Sequence, residues 1–118
     1  MAELKELKAK ARKILELVLS KKVENPIVLD TSRVGIVWDL FIIVSVTSST
    51  QMKAVVKEIT HGSKKNNLPV YRKEVDLNKW VFIDFYDIAL NIFTEEARKF
   101  YNLELLWKNA KKVRFRFK

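Results

Sequence analysis

The chain has no cysteine, one histidine, two glycines and two prolines among its 118 residues. Without cysteine, neither a disulfide framework nor thiolate chemistry is available, and a reducing cytoplasm is the expected compartment. One histidine among scattered carboxylates does not supply the ligands of a usual zinc site. So few glycines and prolines leave little room for a flexible linker, and the length suits one core. We therefore expect a single domain over residues 1–118.

Long apolar runs are also absent, and none reaches the length of a membrane span. Glu3 and Glu6 lie among the first lysines, which suits neither a signal peptide nor an organellar transit peptide. What the chain has instead is positive charge. The formal net charge is +9, and residues 108–118, a basic C-terminal tail, hold six Lys or Arg and no acid. Such charge favours anionic partners, of which nucleic acid is the commonest.

Residues 80–93 form the stretch around which the rest is organised. Two apolar runs, rich in aromatic and β-branched residues, flank a break at Tyr86-Asp87 and predict two strands joined by a tight turn. Both runs carry apolar residues on both faces, which favours a central hairpin covered by helices on at least one side. The alternation places Trp80 and Phe85 on opposite faces. Trp80, Asp84 and Phe85 are the first functional candidates in this hairpin.

Periodicity and capping signals predict the remaining elements. The fold class is α/β (α+β), a mixed β-sheet of about five strands with helices packed on it. Beside the hairpin strands we predict three further strands, over 27–30, 40–46 and 68–75. The first predicted helix is amphipathic and covers about 3–22. The second runs from a Ser48/Gln51 capping box to about Ser63, with Gly62 marking its stop, and the third runs from the Thr94 cap to about 108. Residues 113–118 alternate apolar and basic side chains, which predicts either an edge strand or a disordered basic arm.

Catalytic constellations are not found. A nucleotidyltransferase needs a Gly-Ser turn and clustered carboxylates that hold two metal ions. The loop after the buried strand has Ser48 and Ser49 but no glycine, and Asp84 and Asp87 lie three apart at a turn, where they need not converge. His61 suits a surface position near a helix end. We assign no catalytic residue, no metal ligand and no cofactor, and predict that the protein is not an enzyme.

Several segments, taken together and in order, resemble the Iojap/RsfS family, the ribosome silencing factors. They are residues 39–43, Thr47-Ser48-Ser49 with Gln51, residues 80–84, Phe93, and the R-x-F-Y-x-L-E-x-L-W pattern of residues 98–107. The last pattern is the most specific, and the resemblance covers about residues 25–113. Three positions depart from the usual family pattern: Val75 and Tyr86 replace glycines, and Asn91 replaces a histidine.

The resemblance implies a fold similar to the nucleotidyltransferase core without its activity. It also implies docking on the large ribosomal subunit against the uL-fourteen ribosomal protein, which occludes the small subunit and represses translation when nutrients are short. A homodimer is compatible with the family. Tyr86 must hold a turn commonly given to glycine, so we expect a changed or strained backbone there. Asn91 removes any role that depends on imidazole.

Interface hot spots favour Trp, Tyr and Arg in an apolar patch with a polar rim. The candidate partner-binding residues are therefore Trp80, Asp84, Phe85, Asp87, Arg98, Tyr101 and Glu104. The acids would meet basic groups on a ribosomal protein, and the basic helix and tail would engage nearby rRNA phosphates. Trp107 is assigned to closing the core. The main alternative is a general RNA-binding module that acts through the first helix and tail; a metal-dependent nucleotide transferase is the third hypothesis.

Overall fold

A computed structural model of the protein describes residues 4–115. Its elements, in chain order, are α1 Leu4–Leu19, β1 Glu24–Asp30, β2 Leu40–Val46, α2 Ser49–Lys65, β3 Arg72–Asp76, β4 Trp80–Asp84, β5 Ile88–Thr94, α3 Glu95–Tyr101, α4 Leu103–Leu106 and β6 Lys111–Lys112. The strands form one sheet in the order β3-β4-β5-β2-β1-β6. The predicted α+β class is confirmed. The additional strand is β6, which lies in the basic tail.

The predicted central hairpin is confirmed. β4 and β5 pair antiparallel, with Trp80 opposite Phe93 and Asp84 opposite Ala89. β5 then pairs in parallel with β2, while the other neighbouring strands of the described sheet are antiparallel. Every residue of β2 is buried, and so is every residue of β5 except the last, Thr94. Such strands are apolar on both faces because helices cover both sides of the sheet.

Two apolar layers fill the space on the two sides of the sheet. On one side, α1 and α2 bury the predicted stripes, which include Ala11, Ile14 and Val18 from α1 and Met52 and Val55 from α2. The smaller layer on the other side joins residues of β1, β2, β4 and β5 to Ala97, with Leu103 and Trp107 packed against it. Trp107 therefore closes this second layer, as assigned from the sequence.

α2 differs from the prediction in the capping of its first turn and in the position of its last residue. Ser48 caps the helix, since its Oγ accepts the Gln51 N–H at 3.1 Å, but the Gln51 side chain accepts from the Thr47 N–H at 2.8 Å instead of returning to Ser48. Gly62 does not end the helix. It is buried within α2, and an added Cβ would lie 2.4 Å from Leu17 Cδ2. A larger residue at this position would require the Leu17 side chain of α1 to move aside.

Other boundaries differ where one residue adopts an unexpected backbone conformation. β1 begins earlier than predicted, at Glu24, through an irregular register beside Asn25, whose φ is 48°. β3 begins at Arg72, and Pro69 lies in the preceding loop. Asn102, with φ 45°, breaks the predicted last helix into α3 and α4. For residues 113–118 the sequence left an edge strand and a disordered arm open. The strand observed is β6, which lies just before this segment, and residues 116–118 lie outside the described residues.

Tyr86 holds the turn of the central hairpin with φ 76°. This left-handed conformation costs a residue with a Cβ about 1–2 kcal/mol, whereas glycine adopts it freely. Its ring lies 5.3 Å from the ring of Tyr71, an aromatic contact that helps to hold the turn in place. The strained turn expected from the sequence is therefore present.

We predict that Tyr86→Gly unfolds with a free energy about 1 kcal/mol higher than Tyr86→Ala, measured by urea denaturation. Both variants lose the same ring contact, so their difference isolates the backbone conformation. Val75 is the control position, because it is an exposed strand residue without a positive φ. There Val75→Ala is expected to be more stable than Val75→Gly. Equal stabilities at position 86 would contradict the left-handed turn.

Candidate docking surface

An aromatic cluster lies where β4 begins and β5 ends. Trp80 opens β4, and its ring centroid is 4.8 Å from that of Phe93 and 4.9 Å from that of Tyr101. α3 starts directly after β5, capped by Thr94, whose Oγ1 accepts the Ala97 N–H at 3.2 Å. Because no loop separates β5 from α3, the helix packs directly on the sheet, and Tyr101 at its end lies against Trp80.

The members of the cluster differ in exposure. Phe93 is buried and Trp80 is half-buried, whereas Tyr101 is 40% exposed and Phe100 is 81% exposed. Phe100 packs edge-on against Tyr101 at 5.1 Å. We call Trp80, Phe100 and Tyr101 the aromatic surface. Phe100 was not among the predicted residues, because the apolar pattern of the predicted helix to about 108 does not separate outward positions from inward ones.

Asn91 fixes the orientation of Trp80. It is fully buried in β5, accepts a hydrogen bond from Trp80 Nε1 at 3.0 Å and donates one from Nδ2 to the Ile42 carbonyl at 3.2 Å. The amide thereby satisfies the indole N–H of the half-buried Trp80 and anchors itself to the neighbouring strand. Asn91 is a supporting residue that the sequence singled out only as a departure from the family pattern.

The two predicted aspartates of the hairpin serve its turn. Asp84 is buried, and its Oδ1 accepts the Tyr86 N–H at 2.8 Å, while Oδ2 lies 3.7 Å from Arg72 Nε. Asp87 forms a salt bridge with Lys10 Nζ at 2.6 Å. Lys10 also donates to the Phe85 carbonyl at 2.7 Å, which ties α1 to the turn. These carboxylates have separate partners and do not converge.

Phe85 corrects a prediction, because it is completely buried in the layer beneath α1 and α2. It therefore presents no side-chain surface to a partner. The Phe85 side chain lies on the opposite face of the hairpin from Trp80, as strand alternation predicts, and no bulge in β4 brings the two together. Asp84 and Asp87 also lie at the far end of β4 from Trp80, about 13 Å along the strand. The predicted partner-binding residues of the hairpin are thus divided between its two ends.

Arg98 joins three parts of the chain. Its Nε donates to Glu104 Oε1 at 2.8 Å, and Nη1 donates to the Asn25 carbonyl at 2.7 Å and to Ser45 Oγ at 2.8 Å. Its side chain is only 11% exposed. The guanidinium holds α3 and α4 against β1 and β2, and so fixes the helix that carries Tyr101. Asn25 and Ser45 were not predicted as its partners because they are distant in sequence.

Residues 4–115 contain neither a cluster of metal-ligating side chains nor a membrane-spanning helix. No group of three His, Asp or Glu side chains in this range could hold a metal ion. None of the helices in the same range is both long and apolar enough to cross a membrane.

We predict that Arg98→Ala lowers the free energy of unfolding by about 2 kcal/mol, since it removes charged hydrogen bonds to the buried Ser45 hydroxyl, to Glu104 and to the Asn25 carbonyl. Thermal or urea unfolding measures this effect. Lys99→Ala, an exposed change in the same helix, is the matched control and is expected to stay within about 0.5 kcal/mol of the parent. A similar small effect of both changes would show that Arg98 is not a structural residue.

Comparisons with known proteins agree with this architecture. The family described as "Ribosomal silencing factor during starvation" matches residues 4–117. The chain is 33% identical to the ribosomal silencing factor RsfS of Bacillus subtilis over 91 residues, 76% of this chain and 77% of that protein. It is 31% identical to the chloroplastic protein Iojap of Zea mays over 77 residues, 65% of this chain and 34% of that protein.

A solved structure from Bacillus halodurans superimposes with a TM-score of 0.78 at 28% identity, covering 92% of this chain and 99% of that one. The family match thus extends beyond the residues that carried the sequence resemblance and includes α1. The sequence pattern, the family match and the structural likeness agree. The chain belongs to the RsfS family of ribosomal silencing factors.

Proposed function

We propose that this protein is a ribosome silencing factor that binds the large ribosomal subunit at the uL-fourteen ribosomal protein and blocks joining of the small subunit. Translation is repressed as a result. Family membership supports the silencing role. The observation that carries the docking role is the aromatic surface, in which two outward-facing rings rest on a rigid, buried base.

The aromatic surface has the composition of an interface hot spot. Tyr and Trp bury a large apolar area at low entropic cost, and Trp80 is already held by Asn91 before any partner arrives. Leu105 and Leu106 of α4, the next helix along the chain, are also exposed. An exposed group of large apolar side chains on a small domain is typical of a protein–protein contact.

The other predicted contact residues have different weights in this proposal. Glu104 keeps 37% of its side chain exposed and serves as a rim acid that orients a basic partner. Arg98 acts indirectly, by holding α3 and α4, and Asp84 and Asp87 hold the hairpin turn. Direct contact therefore rests on Trp80, Tyr101 and the added Phe100.

The proposed mechanism is steric and requires no chemical step. A domain bound at the subunit interface occupies space that the small subunit needs, so tight binding alone is sufficient for repression. Binding strength then sets the fraction of large subunits that are withheld from translation. A homodimer of the free protein is compatible with this mechanism, and sedimentation of the protein alone measures its mass.

We predict that Tyr101→Ala weakens cosedimentation with purified large subunits by at least tenfold, because the hot-spot ring is lost. Tyr71→Ala is the matched control, since Tyr71 is an exposed tyrosine in the segment before β3, beside the end of β4 that is far from Trp80. It is expected to bind like the parent. Phe100→Ala is expected to behave like Tyr101→Ala.

The same variants test repression when small subunits are added. The parent protein and Tyr71→Ala are expected to reduce the formation of joined ribosomes, whereas Tyr101→Ala is not. Binding of the parent to both subunits and to free RNA with equal affinity would instead support the general RNA-binding module. Unchanged binding of Tyr101→Ala would remove the aromatic surface from the proposal.

A further inference from the structure

The basic tail is part of the sheet and is joined to the first helix. Lys111 and Lys112 form β6, paired antiparallel with Asp30 and Leu29 of β1. The pairing continues with the Val113 N–H, which donates to the Val28 carbonyl at 2.8 Å. The tail also lies beside α1, since Lys8 of α1 lines the same cleft as Lys111 and Lys112.

The ring of Phe115 strengthens this attachment. It lies 5.5 Å from the guanidinium carbon of Arg12 in α1, and Val113 and Phe115 both pack against the core layer of α1 and α2. A cation over an aromatic face contributes about 0.5–1 kcal/mol at an exposed site. The tail is thus anchored by apolar and aromatic contacts, and its charged side chains are left pointing away from the core.

One cleft gathers the cations of both segments. It is lined by Lys8 from α1 and by Lys111, Lys112 and Arg114 from the tail. We call these four exposed residues the basic face. None of them forms a salt bridge with another residue of the described range 4–115.

Two acids, Asp30 and Asp39, line the same cleft. Asp30 is already engaged, because its Oδ1 accepts the Ser32 O–H at 2.6 Å and the Ser32 N–H at 3.0 Å. These bonds, with the nearby charges of Arg33 and Lys111, hold the pKa of Asp30 below its usual value. The cations still outnumber the acids, and the cleft has a net positive charge.

We propose that the basic face is a second binding surface, separate from the aromatic surface, and that its partner is the phosphate backbone of RNA. Arginine and lysine donate charge-assisted hydrogen bonds to phosphate oxygens, and a row of such cations matches a repeating anion. The phosphate chemistry follows from the face itself. The choice of RNA among polyanions rests on the proposed ribosomal function.

The packing of α1 argues against a membrane surface as the partner. A helix that lies in a lipid interface needs a free apolar face. The apolar stripe of α1, with Ala11, Ile14 and Val18, is buried against the sheet and α2. Only its charged side is available, and this side suits a hydrophilic polyanion.

The basic and aromatic surfaces lie at opposite ends of the central strands. Asp39 and Leu40, at the start of β2, line the basic cleft. The aromatic surface is built around Trp80, opposite Phe93 near the end of β5, and β5 runs parallel to β2. Seven-residue strands separate the two ends by about 20 Å. A protein and an RNA segment can therefore occupy the two surfaces at the same time.

Fluorescence anisotropy with a short RNA hairpin, measured at several KCl concentrations, tests this proposal. The triple variant Lys111→Gln, Lys112→Gln, Arg114→Gln is expected to bind the hairpin at least tenfold more weakly. The slope of log K against log [KCl] should fall by about 2–3, since each lost phosphate contact removes about one. Lys8→Gln, in α1, should reduce the slope by about 1 and provides the test if the triple variant does not fold.

The matched control is Lys53→Gln, Lys57→Gln, Lys65→Gln, which removes the same charge from exposed positions of α2. It is expected to change hairpin affinity less than threefold. The proposal is overturned if the control weakens binding as much as the tail variant does, or if the parent does not bind the hairpin. Binding of the parent to phosphatidylglycerol vesicles in preference to the hairpin would overturn it as well.

This test is independent of the docking proposal. Tyr101→Ala is expected to bind the large subunit at least tenfold more weakly and to keep the hairpin affinity of the parent protein. The tail variant is expected to keep contact with the uL-fourteen protein and to lose hairpin affinity. Failure of either proposal can therefore be recognised while the other still holds.

Discussion

The parallel pairing of β2 with β5 is the constraint on which the rest of the structure depends. Both strands lie in the middle of the sheet and are buried on both faces, so each face must be covered by helices. α1 and α2 cover one face, while α3, α4 and the segment that follows them cover part of the other. A parallel pair also requires a long connection. That connection contains α2, β3 and β4, and so it brings Trp80 to the strand end where α3 begins.

The supporting residues of the two proposed surfaces belong to this framework. Asn91 lies in β5 and holds Trp80, and Arg98 joins α3 to β1 and β2. The tail adds β6 to the edge of the same sheet. The surfaces are therefore attached to rigid elements instead of flexible loops, which lowers the entropic cost of binding a partner.

Much of the fold could be predicted because its signals are local. The apolar stripe of α1, the β2 run, the Ser48 and Thr94 caps and the break at Tyr86 depend on neighbouring residues. One error came from a contact between distant segments, and another from the backbone conformation of a single residue. Gly62 was taken as a helix stop because glycine commonly ends helices, but here it allows Leu17 to approach. Asn102 broke a helix whose apolar pattern continued across it.

The sequence by itself determined the element types, the central hairpin, the family and the positive charge of the two ends of the chain. Only the tertiary structure decided which side chains reach solvent. Phe85 and Tyr101 look equally suitable in the sequence, yet helices bury the first and leave the second exposed. Arg98 likewise became an internal clamp, and the tail joined α1. Exposure and pairing are set by elements far apart in the chain, so no local pattern contains them.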